Sequence, residues 1–175
     1  MIQAADFVRH ARRLIIGQSS RPGRISGDVE ARRALSSSYY GLFHLLTTAG
    51  SMLFATGGEP LRFQAARAFS HTAMRKVCDA YVRSPARPFP SGLEHLNPSA
   101  PDQRLVDIAN AFARLQEGRY AADYDLSTEI EIAYAAELVR MAEEALIKFD
   151  AIQSQPETTV FLTALLLADR WTRRG

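Results

Sequence analysis

The chain has 175 residues, of which 47% are hydrophobic, and a formal net charge of +2. That length suits one domain with a sizeable core, and the hydrophobic fraction excludes disorder throughout. The single cysteine, Cys78, excludes an internal disulfide and fits a reducing compartment.

The charge is unevenly placed. Residues 1–90 hold 13 Lys or Arg against 5 Asp or Glu, a net +8, while residues 91–175 hold 8 against 14, a net −6. Such a split can steer an anionic ligand to one face or let two copies associate through opposite surfaces. Only Lys76 and Lys148 among the 21 basic residues are lysine. Arginine suits bidentate contact with phosphate, although genomic base composition explains the bias as readily. The N-terminus mixes Asp6 with Arg9, Arg12 and Arg13 where a leader needs an apolar run, and the apolar run at 160–168 is too short to span a bilayer. The expectation is a cytoplasmic protein without a membrane segment.

In chain order, a first helix is predicted over about residues 3–16, with Phe7, Leu14 and Ile15 on its apolar side. The Gly, Ser and Pro cluster at 17–24 breaks it. Ser26-Gly27-Asp28 offers an N-cap for a second helix that reaches about Ala55. In it Leu35, Tyr39, Leu42, Phe43 and Leu46 recur at helical spacing, and Ser36, Ser37 and Ser38 are small enough to let a neighbour approach. Gly57-Gly58-Glu59-Pro60 ends this helix and opens a third, over 61–82.

Residues 84–101 carry five prolines and form the most irregular stretch, a length of loop that is often functional or mobile. Asp102 caps a fourth helix that Gly118 interrupts. Ser127 caps a fifth, with Ile130 in its first turn, that reaches about Ile152. Pro156 precedes a last helix over 157–172, whose Arg170, Arg173 and Arg174 complement its dipole. These lengths and connections predict an all-α fold: an up-and-down bundle of four main helices with one or two additions, as a single domain over 1–175 with its core at about 28–152.

Three segments resemble the HEPN family of helical domains. Ala34-Leu35-Ser36-Ser37-Ser38-Tyr39-Tyr40-Gly41-Leu42-Phe43-His44 is similar to the long second helix of that family. Arg67-Ala68-Phe69-Ser70-His71, with Met74 and Cys78, resembles the third-helix pattern of some bacterial HEPN-like proteins. Arg119-Tyr120-Ala121-Ala122-Asp123-Tyr124-Asp125 resembles an Arg-x-x-Ala-Asp-Tyr segment that precedes the family's final long helix. The three lie in the family's order and span most of 28–150.

The resemblance implies a bundle that dimerises, and either a metal-independent ribonuclease, often a toxin paired with a nucleotidyltransferase-like antitoxin, or a non-catalytic RNA-binding or assembly module. Catalytic members carry Arg-x(4–6)-His. Here Arg67 and His71 have three residues between them, Arg62 and His71 eight, and Arg33 and His44 ten. No pair meets the spacing, so the resemblance points to an RNA-binding or dimerisation module rather than a standard ribonuclease.

The alternative ribonuclease reading rests on His71 and Arg67. Cleavage without metal needs an imidazole to move protons and a guanidinium to hold the phosphate. On one continuous helix Arg67, His71 and Arg75 form a cationic ridge; with Arg62 and Lys76 they are the candidate RNA-binding residues. A solvated helix face is the plain alternative. Tyr39, Tyr40 and His44 read first as packing residues. Arg119 and Asp123, four apart, read as an intrahelical ion pair beside Tyr124. His10, His44, His71 and His95 form no metal-ligand pair, no phosphate loop is present, and Cys78 reads as a buried apolar thiol. No cofactor or metal is expected.

Overall fold

The computed structural model of the chain describes residues 3–18, 27–55 and 58–171. Most of the linker expected at 17–24, the cap Ser26, Gly57, and the side chains of Arg170, Arg173 and Arg174 lie outside the described residues. Among the described residues seven α-helices follow in order: α1 (Ala4–Gln18), α2 (Gly27–Phe54), α3 (Glu59–Ala66), α4 (His71–Arg83), α5 (Gln103–Tyr124), α6 (Ile132–Ile152) and α7 (Pro156–Trp171). A single 3-10 turn, Glu94–Leu96, lies between α4 and α5. No strand occurs among the described residues. The fold is an all-α helical bundle, as the apolar periodicity predicts.

The chain packs as two compact units, Met1–Leu45 with Ala111–Ile147, and Leu46–Asn110 with Lys148–Gly175. In the first, α2 buries Ala31, Ala34, Leu35, Tyr39 and Leu42 at intervals of three and four, the stripe of a helix with one apolar face. The Tyr39 ring meets Phe112 of α5 at 5.6 Å, and Leu138, Val139 and Ala142 of α6 complete the core. Leu14 and Ile15 of α1 pack against Ala11, Ala34 and Val139.

The α1–α2 contact depends on small residues. A Cβ on Gly41 would stand 2.7 Å from Val8 Cγ2 and 3.0 Å from the Ala4 carbonyl oxygen. One residue group away, the Ser37 hydroxyl donates to the Phe7 carbonyl at 2.9 Å. Gly118 has the same use. It does not interrupt α5, as its composition suggests; the helix runs through it, and a Cβ there would meet Leu138 Cδ1 at 2.8 Å.

In the second unit the predicted third helix is two helices. The chain leaves helical geometry after Arg67, and Ser70, extended at φ −99° and ψ 129°, caps α4 by accepting from the Ala73 amide at 3.3 Å. Packing explains the break. No residue of α3 is buried, whereas Phe69 is 6% exposed and its ring fills the space where a Gly50 Cβ would stand, 2.4 Å from Cζ. Turning the chain at 67–70 buries Phe69 and aims Ala73, Met74, Val77, Cys78 and Tyr81 of α4 inward. Burial of each large side chain contributes about 1.5–3 kcal/mol, more than a continuous solvated helix offers.

The starts of the later helices follow side-chain capping. Asp102 caps α5, its carboxylate accepting from the Arg104 amide at 2.8 Å. Ser127 does not cap α6; its amide and hydroxyl both donate to Asp125 Oδ1, at 3.0 and 2.6 Å, in a turn that precedes the helix. Ile130 lies ahead of α6 rather than in its first turn, buried, with its amide donating to Asp28 Oδ1 at 2.7 Å. Pro156 is the first residue of α7, where its missing N–H is harmless.

Candidate nucleic-acid interface

Two of the segments singled out in the sequence meet within the first unit. Arg119 lies on α5 with Asp123 one turn later, and its Nε donates to Asp123 Oδ2 at 2.7 Å, the expected intrahelical pair. Its guanidinium carbon stands 5.6, 5.5 and 5.6 Å from the ring centres of Tyr39, Tyr40 and Tyr124, within cation–π range of all three. Its Nη2 donates to the Tyr40 hydroxyl at 3.2 Å. The second Asp123 oxygen accepts from the Ser36 hydroxyl at 2.5 Å. A hydroxyl, a carboxylate, a guanidinium and a phenol thus form one chain of hydrogen bonds between α2 and α5. Tyr39 is fully buried and Tyr40 partly so, matching their reading as packing aromatics.

The α5 C-terminus is held from α2 as well. Arg32 Nη1 donates to the carbonyls of Ala121, Ala122 and Asp125 at 3.2, 3.0 and 2.8 Å, and Nη2 donates to that of Thr128. The last carbonyls of a helix lack helical partners and carry partial negative charge, so a guanidinium there satisfies both. Arg32 Nε also pairs with Asp28 at 2.7 Å. Hydrogen bonds from Arg32 and from the Ile130 amide hold the Asp28 carboxyl below the usual carboxylate range. Sequence reasoning missed Arg32. Its i, i+4 relation to Asp28 was legible, but the carbonyls it serves lie about ninety residues on.

Between these anchors an open groove of about 750 Å³ is lined by His10, Val29, Arg32, Arg33, Ser36, Ser37, Ala122 and Asp123. His10 and Arg33 are exposed. Next to it on α5, Tyr120 and Tyr124 are 66% and 64% exposed, and their ring centres are 5.2 Å apart. Exposed, paired aromatics beside a cation are a stacking platform for unpaired bases. Neither Tyr120 nor His10 stood out in the sequence, since nothing local to them shows which side of a helix faces solvent.

The one continuous helix expected to carry Arg67, His71 and Arg75 is broken, and only His71 and Arg75 share α4. Arg67 is the C-cap of α3, His71 is the first residue of α4, and the break between them removes the one-turn spacing that joined them. Arg75 Nε pairs with Asp79 at 2.8 Å. Arg62 lies on α3, its Nε donating to the Ala55 carbonyl at 3.3 Å, and Lys76 lies on α4. Arg62, Arg67, Arg75 and Lys76 are therefore spread over two helices instead of lining one.

His44 packs its ring on Phe7, Tyr40 and Phe43 at 5.3, 6.1 and 5.7 Å while an edge remains exposed. Burial holds its pKa below the ordinary 6.5. A group depressed on folding contributes stability that is complete above its unfolded pKa and is lost as pH falls through the folded value. Thermal unfolding followed from about pH 7 down to about 5 will show a midpoint that falls with acid, and the His44→Gln chain will lack that part of the fall. Identical pH profiles for the two chains would refute this.

Cys78 is fully buried and its thiol is pushed up by that burial, the environment of an inert thiol. Among the described residues no group of three His, Cys, Asp or Glu side chains is arranged to hold a metal ion, and no helix is long and apolar enough to cross a membrane. Compared with family models, with curated proteins and with solved structures, the chain has no match in any of the three.

Proposed function

We propose that this chain is a HEPN-like RNA-binding module without the metal-independent ribonuclease chemistry of the catalytic members, and that it takes single-stranded RNA on Tyr120 and Tyr124 and along the adjacent groove. The observation that carries the reading is the exposed Tyr120–Tyr124 pair, 66% and 64% accessible beside Arg119. Exposed Arg33 and His10 in the groove supply donors for phosphate. Arg67 and His71 lie on either side of a helix break and not one turn apart on one helix, which favours the non-catalytic reading.

The test is anisotropy of a labelled single-stranded oligoribonucleotide between about 50 and 200 mM salt. Binding that weakens with salt is expected. Each stacked base contributes about 1–3 kcal/mol, so Tyr120→Ala with Tyr124→Ala weakens binding at least tenfold, and Arg33→Ala lowers the salt slope by about one. Absence of binding at the lowest salt would remove the proposal and leave a protein partner, such as a nucleotidyltransferase-like antitoxin. Cleavage lost in His71→Ala or Arg67→Ala would replace it with the ribonuclease reading.

A homodimer belongs to the same proposal. Met52, Leu53 and Phe54 at the end of α2, and Leu61 and Phe63 of α3, are 41–59% exposed, and exposed large apolar side chains are what an association surface would use. Sedimentation will find a dimer, and Phe63→Asp, which touches no buried position of α3, will shift it to monomer. A monomer at high concentration of the unmodified chain would contradict the dimer.

A further inference from the structure

The groove proposed for RNA carries an anion. Asp123 lines it together with His10, Arg32 and Arg33, and is the one acidic side chain among the described lining residues. Its side chain is 30% exposed. A surface that only followed phosphates would have no use for a carboxylate, because like charges repel at close range. An ionised carboxylate accepts hydrogen bonds and cannot donate, so a ligand group lying against Asp123 has to be a donor.

The carboxylate is held before anything binds. Oδ1 accepts from the Ser36 hydroxyl of α2 at 2.5 Å, and Oδ2 accepts from Arg119 Nε at 2.7 Å. A carboxylate has about four acceptor positions, so these two bonds leave room on each oxygen. A ligand meeting a group fixed in this way loses little to ordering it. The stacking pair stands beside it. Tyr120, three residues earlier on α5, is a neighbour of Asp123 on the helix surface, and Tyr120 and Tyr124 are the exposed rings. A base on those rings brings one of its edges next to the two oxygens.

Base edges differ in what they offer a fixed pair of acceptors. The pairing edge of guanine presents N1–H and the N2 amine side by side, two donors for two oxygens. Adenine and cytosine each present one amine next to a ring nitrogen that accepts, and uracil presents one N–H between two carbonyls. In those three a carboxylate that gains one bond faces an acceptor with its other oxygen. We propose that Asp123 makes the site selective for guanine in single-stranded RNA, the base stacking on Tyr120 and Tyr124 while N1–H and the N2 amine donate to the carboxylate. This inference rests on the RNA reading above and names the base that the site takes.

The experiment measures anisotropy of labelled oligouridines of one length that carry guanine, inosine, adenine, cytosine or uracil at the centre. All have the same number of phosphates, so the salt-dependent term is common to them. The guanine oligomer is expected to bind about tenfold more tightly than the other natural ones, and inosine, which lacks the N2 amine, to retain about threefold. Asp123→Asn brings guanine close to parity with adenine, a ratio that a merely structural role for the carboxylate would not move. Near-UV circular dichroism shows whether the tyrosine cluster survives in that variant; if it does not, the inosine comparison on the unmodified chain decides. Equal affinity for all five oligomers, preference for another base, inosine bound as tightly as guanine, or a guanine preference that persists in a folded Asp123→Asn would each overturn guanine selection and leave the RNA reading standing. No binding of any oligomer at low salt would remove both.

Discussion

Arg32→Ala will lower the unfolding free energy by about 3–5 kcal/mol. The side chain is only 12% exposed, and it donates to four carbonyls at and beyond the end of α5 as well as to Asp28. Alanine takes this donor from a helix end already short of partners, where only the Ala121 carbonyl keeps a second donor among the bonds described, the Asp125 amide at 3.1 Å. Urea unfolding is the check: the midpoint falls while the slope is unchanged, because the surface exposed on unfolding is the same. Arg32→Lys recovers less than half of the loss, since one ammonium cannot reach the positions served by a planar fork. Acid unfolding gives a second reading. Asp28 is depressed below 3.8 mainly by Arg32, so its contribution is complete above 3.8 and lost as pH falls through the lower folded value. In Arg32→Ala that acid-dependent part shrinks. A midpoint within experimental error of the unmodified chain would show that α5 ends without this support.

Arg119→Ala will cost about 2–4 kcal/mol. It removes a cation from contact with three tyrosine rings, a donor from Tyr40 and the partner of Asp123. Its carboxylate partner is 30% exposed, so solvent screens the ion pair and most of the loss lies in the aromatic and phenol contacts. Arg119→Lys keeps the charge but loses the flat stack, and falls between the two. Tyrosine near-UV circular dichroism will change in both variants, because three rings share the one guanidinium. If Arg119→Ala weakens RNA binding beyond its effect on stability, Tyr124 needs the cation behind it to stack on a base. Unaltered stability in Arg119→Ala would remove the cluster as an anchor between α2 and α5.

Much of the helical pattern was legible locally. The apolar stripe of Leu35, Tyr39 and Leu42 places α2 because each residue's neighbour on the face is only three or four positions away. Asp102, a carboxylate ahead of an apolar run, marks the α5 start for the same reason. Arg119 and Asp123 declare their pairing by spacing alone. The errors share a different origin. Ser70 lies inside a stretch whose helical periodicity continues on both sides, and only the fit of Phe69 against Gly50 turns the chain there. Gly118 reads as a breaker until Leu138 is seen to need its missing side chain. Ser127 reads as a cap until Asp125 claims its amide.

Taken by itself, the sequence determined that this protein is helical, which faces of its long helices are apolar, and which charged residues pair within a turn. These depend on intervals of three and four residues, and such intervals survive any arrangement of the helices. The tertiary structure alone decided that the helix breaks between Arg67 and His71, that Arg32 serves the end of a helix far along the chain, and that Tyr120 and Tyr124 are left in solvent. Each of those outcomes depends on which distant side chain occupies a given space, and close packing admits one occupant.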